Sequence, residues 1–172
     1  MKYQIYGPYS LPRNDRRIFT RDATKKALFW DGVENDAPGL PDACGCYIIS
    51  VRNVVWYVGL AESQGFRREC FAAHTITKID SAITEGAGNP MLHLLAKHTP
   101  AGRFARPSTN GHPDAVMLES LLIGIGLRRN EKLLNKSDTA ILREIMVPGF
   151  YNSPRGAARA NSVQSLKQAM GV

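Results

Sequence analysis

A chain of 172 residues with 44% hydrophobic residues suffices for one domain with a real core. It holds no run near the ~18 apolar residues of a membrane span, and MKYQIYGPYS has no apolar leader core, so the expectation is an intracellular, cytoplasmic protein without membrane contact. The net charge of +7 suits a polyanionic partner, nucleic acid first, with a solvated basic surface as the plain alternative.

Residues 1–40 read as a basic arm. Gly-Pro, Leu-Pro and Pro-Gly pairs punctuate it, with one ordered stretch at Thr24–Trp30. Residues 1–26 of it hold Lys2, Arg13, Arg16, Arg17, Arg21, Lys25 and Lys26 against Asp15 and Asp22. A core follows over 43–150. Cys46–Val51 and Val54–Val58 are apolar runs separated by Arg52-Asn53, which predicts a β-hairpin. Ser63–His74 reads as a helix with Phe66, Cys70 and Ala73 on its core face, and Thr75–Thr84 as a second. Pro90 can open a third helix through Lys97. Residues 99–113 read as a loop. Asp114–Arg128 is the clearest helix, with Val116, Met117, Leu121, Leu122 and Ile125 forming its apolar face. Leu133-Leu134 suggests a short edge strand, and Ile141–Val147 fits helix or strand. The extension 151–172 carries Arg155, Arg159 and Lys167 and no acid. Asn161 or Ser162 can cap a short helix there with Val163, Leu166 and Met170 on one face. Cys44 and Cys46 sit too close for a disulfide framework, and paired CxxC spacing is missing. All three cysteines therefore read as small apolar residues.

The hairpin carries a question. Glycines flank two tyrosines, in Gly45-Cys46-Tyr47 and Tyr57-Val58-Gly59, and a plain core hairpin needs neither. A two-residue loop would send the two phenols to opposite faces. A three-residue loop, Val51-Arg52-Asn53, or a bulge of the same effect, would set them opposite each other on one face.

These residues, with Arg67, Glu119 and Asn135 beyond them, resemble the GIY-YIG nuclease family over roughly residues 43–137. That family includes homing endonucleases, an excision-repair nuclease and type II restriction enzymes. The resemblance implies an α+β fold with a three-stranded antiparallel sheet flanked by helices, and a metal-dependent endonuclease acting on DNA. Cys46 stands where isoleucine is commonest, and Gln64 where an apolar residue is frequent. Tyr47 is the candidate general base, with Tyr57 bonded to phosphate or water. Arg67 would grip the phosphate, and Arg68 competes for that role. Glu119 would hold Mg²⁺ or Mn²⁺, and Asn135 would orient Glu119 or the phosphate.

Residue chemistry supports parts of this. A phenol of pKa near 10 is a poor base at neutral pH, so Tyr47 needs help or a relay to His74. On one helix, seven residues return to nearly the same azimuth, which puts Arg67 and His74 on one face and turns Arg68 about 100° away. Glu119 interrupts an apolar helix, where a carboxylate is costly unless paired or metal-bound. His93, His98 and His112 share no metal-ligand spacing. Arg103, Arg106, Arg155 and Arg159 are candidate phosphate or base contacts. A non-catalytic nucleic-acid-binding module on the same fold, or a nuclease toxin, is the alternative. A two-fold substrate would favour a homodimer.

Overall fold

In the computed structural model, residues 2–14, 17–18, 22–135, 139, 144–149 and 161–171 are described. They divide into two units, 1–135 and 136–172.

The first unit is α+β, built on an antiparallel sheet of four strands. The hairpin forms one side of that sheet, with β4 at Gly45–Val51 inside and β5 at Val54–Ala61 at the edge. Val51 pairs with Val54, so the turn has two residues, not three. Arg52 and Asn53 both have positive φ (51° and 60°), the geometry whose twist matches paired strands. The ladder then shifts by one residue between Ile49 and Ser50, leaving Trp56 as a bulge.

The sheet has four strands where three were expected, and two of them lie in segments read otherwise from the sequence. β1, Lys2–Ser10, lies in the stretch read as an irregular arm, yet pairs along most of its length with β6. Its ladder shifts between Tyr6 and Tyr9, where Gly7-Pro8 intervenes, and an edge strand tolerates such a proline. β6, Pro90–His98, is the segment read as a helix opened by Pro90. It lies between β1 and β4, burying Leu92, Leu94, Leu95 and Ala96. A strand covered on both faces is nearly continuous in apolar residues, and periodicity alone does not separate it from a buried helix. A two-residue ladder, β2 (Arg13–Asn14) with β3 (Arg17–Ile18), follows β1.

Helices cover both faces. α1, Ala23–Asp36, is twice the length expected from its sequence, and Asp22 caps it by accepting from the Thr24 and Lys25 amides. It packs Trp30 and Val33 into the main core with Tyr47, Ile49, Leu92 and Leu94. A 3₁₀ turn, Leu40–Asp42, leads into β4. The expected helix at Ser63–His74 is broken: α2 is only Phe66–Glu69, and α3 begins at Ala73 and runs to Gly86. Phe66, Cys70, Phe71, Ile79 and Ile83 from this region join the same core.

α4, Pro113–Arg129, lies against β4 and β5 on the opposite face. The face it buries is not the large apolar one. Ala115, Ile123, Gly126 and Leu127 are buried, while Val116, Met117, Leu121 and Ile125 are exposed. Small residues let the helix approach closely. A Cβ at Gly126 would lie 3.5 Å from Val55 Cγ1, and the Cys46 thiol donates to the Ala115 carbonyl at 3.3 Å.

Past α4 the chain follows the β5 edge without forming the expected strand at Leu133-Leu134. Leu134 N–H donates to the Trp56 carbonyl, and Asn130 donates to the Val55 carbonyl. In the second unit, α5 spans Asn161–Met170. There Val163 is half-buried, while Leu166 and Met170 are exposed. Of Ile141–Val147, residues 141–143 lie outside the described residues. Among the described residues no helix is long and apolar enough to cross a membrane.

Candidate active site at the β5 edge

The bulge at Trp56 decides where the tyrosines point. With the register shifted, Tyr47 faces Gly59 and Tyr57 faces Ile49. The phenols therefore share a face as diagonal neighbours, not directly opposite. Their ring centroids lie 6.0 Å apart.

The glycines answer to the tyrosines and the sheet. The Tyr47 ring lies so close over Gly59 that any Cβ there would collide with its Cζ, Cε1 and hydroxyl. Gly45 has φ +150°, and a Cβ on it would strike the Leu95 carbonyl on β6. Both glycines thus serve internal packing.

Tyr47 is 0% exposed, and its hydroxyl is 3.0 Å from Thr75 Oγ1, itself fully buried on α3. Burial pushes its phenol well above the ordinary range. Tyr57 is half-buried. Burial raises it too, a hydrogen bond from Tyr47 works the other way, and the charges of Glu119 and Glu69 push it up further. The deeper phenol supports the outer one.

The break between α2 and α3 places Arg67 and His74 on different helices, so the seven-residue azimuth does not relate them. Arg67 is half-buried (side chain 39% exposed) and faces Asp42, with Nε 3.9 Å from Oδ1. That Nε is buried without a hydrogen-bond partner among the described residues. Arg68, one position on, is exposed. His74 is exposed, and its Nε2 lies 3.2 Å from Glu69 Oε1. Gln64 donates to the other oxygen of Glu69.

Glu69 is the residue that sequence reasoning passed over. Its side chain is only 15% exposed, and its charge bears on Tyr47, Tyr57 and Cys70. The available signal was an acid set between the core positions Phe66 and Cys70.

Glu119 is half-buried on α4. Its charge reaches Tyr57 and Cys46, and the Cys46 thiol, raised chiefly by burial, stands at about 12. β5 is the edge strand, so groups from both helical layers meet beside it. Asn135 lies against β5. Its Oδ1 accepts from Val58 N–H at 3.0 Å and its Nδ2 donates to the Val58 carbonyl at 2.7 Å. It pairs with β5 as a strand residue would, and so fixes the backbone next to Tyr57. The chain has no match among family models, curated proteins or solved structures.

Arg106 approaches the same carboxylate as Arg67, with Nη1 3.9 Å from Asp42 Oδ2. Arg103 and Arg106 both line a cavity of about 620 Å³ beside Gly39 and Phe104. Arg155 and Arg159 lie outside the described residues. The other histidines are engaged locally: His93 with Ser50, His98 with Tyr6 and the Gly102 carbonyl, and His112 with Lys97 and the Arg106 carbonyl.

The donors around Glu119 bear on which cation would fit. Among the described residues no three His, Cys, Asp or Glu side chains converge. A half-buried carboxylate such as Glu119 suits Mg²⁺, which is commonly held by one or two carboxylates plus substrate phosphates and water.

Proposed function

We propose that the protein is a metal-dependent endonuclease of the GIY-YIG type, hydrolysing phosphodiester bonds in DNA. The observation that carries this reading is the pairing of two phenols on one sheet face, with Tyr57 half-exposed under the charges of Glu69 and Glu119. A plain core hairpin requires no such set.

In this reading Glu119 holds Mg²⁺ or Mn²⁺. When bound, the cation supplies Lewis-acid stabilisation of the leaving 3′ oxygen. Arg67 presents its guanidinium to non-bridging phosphate oxygens. Tyr57, the phenol nearer solvent, takes the role first given to Tyr47, because a fully buried hydroxyl bonded to Thr75 does not reach substrate. A phenol held above its ordinary range orients a water by hydrogen bonding better than it deprotonates it. His74, exposed and held through Nε2 by Glu69, is the acceptor for the proton. Asn135 positions Tyr57 through Val58.

The test is cleavage of supercoiled plasmid with Mg²⁺, comparing the protein with Glu119→Ala. Discrete fragments lost in the variant support a sequence-specific nuclease, and a smear lost in the variant supports a non-specific one. Equal cleavage by both removes Glu119 from the site. Salt-sensitive binding without cleavage favours the binding module.

A further inference from the structure

We propose that Asp42 is an internal stand-in for substrate phosphate. Its carboxylate gathers Arg67 and Arg106 into a two-guanidinium site that a nucleic-acid phosphate takes over. This deepens the nuclease reading and rests on it.

Three segments converge at Asp42, and backbone contacts fix each. The 3₁₀ turn is anchored by the buried Leu40, Pro41 and Ala43, while Asp42 itself stands 60% exposed. α2 begins against this turn: Phe66 N–H donates to the Ala43 carbonyl at 3.1 Å. A Cβ on Gly65 would lie only 2.9 Å from the Asp42 backbone. The loop bearing Arg106 is joined through Cys44 N–H to the Ala105 carbonyl at 3.1 Å. The positions of the two arginine backbones are thus set by the fold.

The contacts to the carboxylate are loose. Each oxygen faces one guanidinium at 3.9 Å, beyond hydrogen-bond range. Exposed pairs of this kind are weak, so an incoming anion displaces them readily. Arg67 Nε, buried with no acceptor among the described residues, is a desolvated donor whose satisfaction favours binding. A phosphate brings oxygens that close to about 2.7–2.9 Å on such donors. Arg106 also lines the cavity of about 620 Å³ that continues past Arg103 and Phe104, which gives room for the neighbouring nucleotide.

The test uses full-length protein carrying Glu119→Ala, to prevent cleavage. Binding to a fluorescein-labelled DNA duplex, and to the same sequence as RNA, is followed by anisotropy at low salt with EDTA. Asp42→Asn should bind about three- to tenfold tighter, the scale of two exposed ion pairs released. Asp31→Asn, which removes an equal charge from the exposed side of α1, should change affinity by less than about 1.5-fold. The Asp42→Asn gain should largely vanish when Arg67 and Arg106 are both alanine. An unchanged affinity, a gain equal to that of Asp31→Asn, or a gain that survives without the arginines would overturn the proposal while leaving the nuclease reading intact. A parent protein that binds neither DNA nor RNA would overturn both.

Discussion

Gly59→Ala tests the packing that brings the two phenols together. The Tyr47 ring lies directly over Gly59, and a methyl group there overlaps three of its atoms. The ring has nowhere to go. Tyr47 is 0% exposed, and moving it breaks the 3.0 Å bond between its hydroxyl and buried Thr75. Overpacking of this kind costs about 1–3 kcal/mol, and the lost hydrogen bond adds about 0.5–1.5 kcal/mol. At about 2–4 °C per kcal/mol for a chain of this size, the midpoint should fall by about 3–18 °C. Thermal melting followed by circular dichroism measures it, with the near-UV band reporting the tyrosines. Repeating the substitution in a Tyr47→Leu background removes the ring, and its cost should then drop below about 1 kcal/mol. A midpoint shift under about 1 °C in the parent, or costs that simply add in the double variant, would refute the packing argument.

On α4, Ile123→Ala should cost about 2–5 kcal/mol, whereas Met117→Ala, at a residue 75% exposed, should stay within about 0.5 kcal/mol. Denaturant melts separate the two, and equal effects would mean that the wrong helix face has been assigned to the core. Asn135→Ala removes both bonds to Val58. It should lower stability by about 1–3 kcal/mol and speed hydrogen exchange at the Val58 amide, and unchanged exchange there would refute the clasp. His93, half-buried against Ser50, has its pKa lowered by burial below the ordinary 6.5. The unfolded chain then binds the proton more readily, so this contribution to stability is full above pH 6.5 and is lost as pH falls from there toward the folded value. His93→Gln should flatten that part of the stability–pH curve, and an unchanged slope would count against it.

Local signals carried far where neighbouring residues decide the outcome. The hairpin was legible because two apolar runs flank Arg52-Asn53, and α3, α4 and α5 because they carry helical periodicity or caps close to their observed bounds. The α2–α3 break was not legible, since apolar residues on both sides serve one core and read as a continuous stripe. α1 was read too short, because its stripe of Trp30 and Val33 is narrow.

By itself, the sequence determined the hairpin, the helices α3 and α4, and the list of phenols, arginines and acids from which a site could be drawn. Those follow from residue chemistry and short-range spacing, which need no partner segment. Tertiary structure alone decided that β1 and β6 are strands, because each becomes one by pairing with a chain segment far away in sequence. It decided which face of α4 is buried, since close approach to β5 favours Ala115 and Gly126 over larger side chains. It also set which tyrosine meets solvent. One extra residue at Trp56 moves every later side chain on β5 to the other face, so of the two expected ways to bring the phenols to one face, a longer loop or a bulge, it is the bulge that occurs.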